Sequence, residues 1–121
     1  MKLSMTSNYM EELKQKYCDV NKEFIGAYAI RNGILTGKAF VLFVNTDMIK
    51  VVRLGIYTLN IKEDYSINKK DIVTIKTQKG IIFNNVKIKT SDGKKHKFRI
   101  QKRVWTLNES QKEVFERLST Y

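Results

Sequence analysis

The residues with the chemistry to act as nucleophile, base or metal ligand are few and scattered. His96 is the only histidine and Cys18 the only cysteine, and one of each cannot build a zinc site. Cys18 lies between Lys16 and Asp19 with no histidine near it in sequence, and it reads as a small hydrophobe. Glu63 and Asp64 are adjacent and lack the separated, unequal settings that acid–base work by two carboxylates requires. Gly33-Ile34-Leu35-Thr36-Gly37-Lys38-Ala39 has glycines and a lysine in the order of a phosphate cradle. However, three residues rather than four separate the glycines, and Ala39 stands where a magnesium-binding hydroxyl is needed. No catalytic constellation emerges, so the expectation is a protein that is not an enzyme and carries no cofactor.

The remaining chemistry is that of positive charge. Formal net charge is +11. Residues 76–103 alone hold ten cations against one acid, Asp92, which leaves only +2 for the other 93 residues. Concentrated charge of one sign points to an anionic partner: an acidic protein, an anionic lipid surface or nucleic acid. Abundant Lys, Asn and Ile with no Pro also fits an AT-rich coding bias, but such a bias does not require clustering.

The stretch Ile81–Arg103 positions these cations. Thr90-Ser91-Asp92-Gly93-Lys94 suits a three-residue hairpin loop, with Gly93 in the left-handed conformation. That loop puts Thr90 opposite Lys94, Ile88 opposite His96 and Val86 opposite Phe98. One face then carries Val86, Ile88, His96, Phe98 and Ile100. The other carries the anion-binding candidates Lys87, Lys89, Lys95, Lys97 and Arg99. A two-residue turn would slip the register and mix the two faces. His96 falls on the apolar side, where a packed histidine is expected rather than a base. Facing lysine pairs cost roughly 0.2–1 kcal/mol each, a cost that solvent screens or a bound anion relieves.

The elements around the hairpin follow from periodicity. Residues 8–20 read as a helix, with Asn8 and Glu11 as a capping box and Met10, Leu13, Tyr17 and Val20 on one stripe. Between residues 24 and 101 the period drops to two, and seven strands are expected. These are Phe24–Arg31, Lys38–Val44, Met48–Leu54, Tyr57–Lys62, Asp71–Thr77, Ile82–Thr90 and Lys94–Gln101, with Glu63–Lys70 as a polar link. Lys38–Val44 is continuous in apolar residues, as a central strand would be. Residues 108–120 read as a closing helix capped by Asn108, with Gln111 completing a capping box. Gln111, Val114, Phe115 and Leu118 line the face that plugs the sheet.

The fold class expected is mainly β (α+β), one domain over residues 1–121, built as a seven-stranded antiparallel barrel or sandwich. Hydrophobic content of 42% and charged content of 29% are those of a globular domain. No apolar run approaches the 18 residues of a spanning helix. The N-terminal residues lack the apolar core of a secretory signal, and a lone cysteine fits a reducing compartment, so a cytoplasmic location is expected, with peripheral membrane contact compatible with it.

Seven antiparallel strands followed by one amphipathic C-terminal helix resembles the pleckstrin-homology superfold, including its bacterial PH-like and GRAM-like domains. Asp71-Ile72-Val73-Thr74-Ile75 and the run Val86–Phe98 are similar to the later strands of bacterial PH-like domains. The similarity covers roughly Phe24 to Leu118, with the first helix an addition. It implies a non-catalytic module that binds lipid headgroups, peptides or a partner protein. Lipid-binding members use basic residues flanking the first hairpin loop, which here implies Arg31 and Lys38; the alternating basic residues that follow in those members are absent.

Two functions compete. The first is a PH-like module acting through protein or anionic-membrane contacts. The second is phosphate-backbone binding to nucleic acid across the basic face, which has no aromatic between Lys87 and Arg99 on which a base would stack.

Overall fold

The computed structural model describes residues 5–31, 38–55, 59–104 and 107–121. The chain runs α1 (Ser7–Tyr17), β1 (Ile25–Arg31), β2 (Lys38–Val44), β3 (Met48–Leu54), β4 (Ile61–Asn68), β5 (Ile72–Gln78), β6 (Phe83–Thr90), β7 (Lys95–Gln101) and α2 (Asn108–Ser119). The strands form one antiparallel sheet in the order β4-β3-β2-β1-β7-β6-β5, so the two edges are consecutive in sequence. A 3-10 turn, Lys69–Asp71, joins them. The fold is mainly β with a helix at each end, as the sequence periodicity predicts.

The sheet is strongly curled. β4 and β7 lie four places apart in its order, about 19 Å if the sheet were flat. Yet the rings of Tyr65 on β4 and His96 on β7 are 5.7 Å apart. The concave side encloses a core to which every strand but β5 supplies buried residues, including Phe40, Leu42, Val51, Ile67, Ile88 and Phe98. Val114, Phe115 and Leu118 of α2 complete it. Phe40 and Phe98 meet edge to face at 5.2 Å.

The convex side of β1–β3 is covered by α1, through Tyr9, Met10 and Leu13 against Val41, Phe43 and Leu54. The Tyr9 hydroxyl donates to the Leu59 carbonyl at 2.6 Å. β2 is therefore buried on both faces from Ala39 to Val44, which explains its unbroken apolar run. Gly26 permits the close approach of α1, since a Cβ there would sit 2.7 Å from Met10 Sδ and 2.9 Å from the Phe43 ring.

Four local expectations are corrected. α1 is capped by Thr6, whose Oγ1 accepts from Tyr9 N at 3.1 Å, and Asn8 lies inside the first turn. The helix stops at Tyr17, where Asp19 begins a side-chain turn by accepting from Asn21 N at 2.9 Å, so Val20 leaves the stripe and is 80% exposed. The fourth strand is Ile61–Asn68, not Tyr57–Lys62; Tyr57 itself is outside the described residues. Much of the expected polar link is that strand. As an edge strand it buries only Ile67, so it carries no apolar alternation to announce it. Finally, α2 is preceded by Leu107, which supplies no side-chain cap, and the Gln111 amide is engaged in the core rather than in a capping box.

Candidate anion-binding face

The β6–β7 hairpin has the register expected from its parity. Gly93 adopts φ +86°, and Gly93 N donates to Thr90 O at 2.9 Å. Val86 pairs with Phe98, Lys87 with Lys97, Ile88 with His96 and Lys89 with Lys95. Val86, Ile88, Phe98 and Ile100 are buried, while Lys87, Lys89, Lys95, Lys97 and Arg99 are exposed on the convex side.

β5 extends this face beyond what the hairpin alone provides. Lys76 pairs with Lys87 and Thr74 with Lys89. Lys76, Lys87 and Lys97 thus form one rung across three strands, with Thr74, Lys89 and Lys95 in the next. Neighbouring strands are about 4.8 Å apart, so each rung is a close row of like charge. A shallow depression of about 410 Å³ runs between these six residues. Lys76 escapes the sequence reading because its pairing with Lys87 depends on the register of β5 against β6, and Lys79-Gly80 signals a turn without specifying its length.

Among the described residues, no acidic side chain forms a salt bridge with a cation of this face. Among the described residues, the salt bridges are Lys50–Asp64 at 2.7 Å and Arg53–Glu63 at 2.9 Å, both between β3 and β4. Asp92 is the nearest acid in sequence, but its carboxylate accepts from the Thr90 hydroxyl and from Lys94 N. These bonds hold its carboxyl below the ordinary value, with the Thr90 bond the larger cause. Both donors are uncharged, so Asp92 keeps its negative charge but holds it at the turn.

One aromatic escapes the sequence reading. Phe83 shares the convex face by alternation with Asn85 and Lys87, and the Arg99 guanidinium lies 4.3 Å over its ring. The signal in the sequence is Phe83's own parity, two residues before Asn85 and four before Lys87.

The first-hairpin candidates lie elsewhere. Arg31 and Lys38 face each other at the ends of β1 and β2, with residues 32–37 outside the described residues. Arg31 follows Ala27 and Ala29, both in the concave core, so it belongs to the opposite side from Lys87 and Lys97. Its Nε is buried without a hydrogen-bond partner. The structure does not bring Arg31 and Lys38 together with the basic face.

Other reactive groups are in packed settings. His96 is half-buried on the concave side, and its pKa is lowered, first by burial. Burial pushes the Cys18 thiol up to about 11, despite Lys14 and Lys50 nearby. Glu63 and Asp64 are each tied to a cation of β3. No helix is long and apolar enough to cross a membrane among the described residues. Comparison with family models, curated proteins and solved structures finds no match for this chain.

Proposed function

We propose that this chain is a non-catalytic, pleckstrin-homology-like binding module that engages an anionic surface through the convex face of β5–β7. The carrying observation is the three-strand rung Lys76–Lys87–Lys97 beside Lys89 and Lys95, built without an acidic partner on that face. Packing like charges in register is unfavourable unless solvent or a ligand screens them, and a multivalent anion relieves several pairs at once. Seven antiparallel strands closed by a C-terminal helix support the PH-like reading. Such folds serve binding more often than they dictate one ligand, so the face carries the functional argument.

Phosphate-backbone binding to nucleic acid is the second reading, and Phe83 is the observation that bears on it. Single-stranded bases stack on rings set among cations, and Phe83 is such a ring, half-buried on the convex face. Here the Arg99 guanidinium already covers that ring, so stacking would have to displace it. This favours contact with headgroups or acidic side chains over base recognition.

The test is a salt series of binding to anionic vesicles and to single- and double-stranded DNA in parallel, with Lys87, Lys89, Lys95 and Lys97 all changed to Gln in the comparison protein. The proposal requires vesicle binding that weakens with salt and collapses in the variant. Absence of binding to any anion, or equal loss from removing four lysines elsewhere, rejects it.

A further inference from the structure

The turn between β5 and β6 presents two isoleucines to solvent. Ile81 is 95% exposed and Ile82 62% exposed. Isolated apolar residues at a surface are ordinary, but two adjacent isoleucines at the apex of a turn are not explained by the fold's own packing. The turn is also well tied. Gly80 N donates to Asn84 Oδ1 at 3.4 Å, and Lys102 N donates to Ile82 O at 3.0 Å. A Cβ at Gly80 would lie 2.3 Å from Phe83 O, so only glycine allows the chain to turn this sharply. The isoleucines are held out by a built turn.

Cations outnumber acids beside this tip. Lys79 precedes it, and Lys102 and Arg103 follow the end of β7; with Lys112 they line one groove that also holds Glu109 and Glu116 of α2, four cations to two acids. Phe83 and Arg99 begin the convex face immediately beyond. The lysine rungs continue from there at about 7 Å per two residues, within one or two screening lengths of the tip.

We infer that this tip is a membrane wedge: Ile81 and Ile82 enter an anionic bilayer while Lys79, Lys102, Arg103 and Arg99 meet its headgroups. The inference rests on the anion-binding reading of the β5–β7 face and names its partner. A soluble polyanion would use the cations and leave the isoleucines in water. A bilayer with acidic headgroups satisfies both, and a modest apolar insertion combined with a basic patch is how peripheral proteins reach useful affinity. By register, the tip lies at the end of the strands away from the β1–β2 loop that Arg31 and Lys38 flank, so it is a separate contact.

The experiment measures partition onto vesicles of 70:30 phosphatidylcholine:phosphatidylserine, alongside binding to inorganic polyphosphate and to DNA. The proteins are the unmodified chain and an Ile81→Ser/Ile82→Ser variant. A third protein, Cys18→Ser/Ile81→Cys, carries an environment-sensitive fluorophore at position 81. Because both isoleucines are exposed, the serine variant is expected to melt as the parent does. Insertion predicts at least a roughly tenfold loss of vesicle partition in that variant, since each isoleucine leaving water contributes about that factor. It also predicts unchanged polyphosphate binding and a blue shift of the fluorophore on vesicles. Equal partition of parent and serine variant, or an unshifted fluorophore, overturns the wedge while leaving the anion-binding face intact. Parent protein that binds DNA but not vesicles overturns it in favour of nucleic acid. Parent protein that binds none of the three overturns the underlying reading as well.

Discussion

Gln111 of α2 pairs with Tyr28 of β1 as a neighbouring strand would. Its Nε2 donates to Tyr28 O at 2.8 Å, and its Oε1 accepts from Tyr28 N at 2.6 Å. The same Nε2 donates to Gln101 O on β7 at 2.8 Å. Among the described residues β1 and β7 pair at Ala29–Ile100 and Ile30–Arg99, and Tyr28, next along β1, has no paired residue on β7. Gln111 takes up the backbone groups of Tyr28 and Gln101 there, is 0% exposed, and satisfies groups that would otherwise be stranded. A single buried amide thus locks the closing helix to the seam of the sheet.

Replacing Gln111 with Leu keeps the volume and removes three hydrogen bonds. Unfolding in urea is expected to show a loss of about 2–4 kcal/mol, because each stranded buried group costs about 1–3 kcal/mol. Gln111→Glu is expected to lose stability too, since a carboxylate would confront two carbonyl oxygens. A Leu variant as stable as the parent would show that water replaces the amide at the seam.

The lysine rungs make a stability prediction independent of any ligand. With Lys87, Lys89, Lys95 and Lys97 changed to Gln, the repulsion between facing pairs disappears. The variant is expected to melt a few degrees above the parent at low salt. That advantage should fade as salt shortens the screening length toward about 3 Å at 1 M. A variant that gains nothing at low salt would mean that the lysines splay far enough to ignore one another.

His96 predicts a pH dependence. Burial lowers its pKa from the ordinary 6.5, Lys94 and Arg31 add to the shift, and Asp92 opposes it. The unfolded chain therefore takes up this proton more readily than the folded one. Stability is full above pH 6.5 and declines as pH falls through the folded value. Urea midpoints at pH 7.5 and pH 5 should differ in the parent, and His96→Phe should flatten the difference. Asp92 titrates below its ordinary 3.8 and does not enter this window.

Cys18 is expected to resist alkylation. A shift from 9.0 to about 11 leaves about a hundredfold less thiolate near neutral pH, and the thiolate is the reacting species. Iodoacetamide labelling at pH 8 should be slow in the native protein and recover in denaturant. Native labelling as fast as that of a free cysteine peptide would contradict the packing of Cys18 against the α1 cluster.

The sequence by itself determined what is local. Asp92-Gly93 and the alternation on either side specify the β6–β7 register, because turn geometry and a period of two act between residues only a few positions apart. The unbroken apolar run of β2 likewise specifies burial on both faces. Tertiary structure decided the rest. Lys76 joins Lys87 only through the β5–β6 register, and Gln111 finds Tyr28 across 83 residues. β4 is held as a strand by its pairing with β3 despite a polar sequence. Gly26 makes sense only once α1 lies over it. In each case the deciding contact joins segments whose own patterns do not specify the partner, so no reading of either segment alone could supply it.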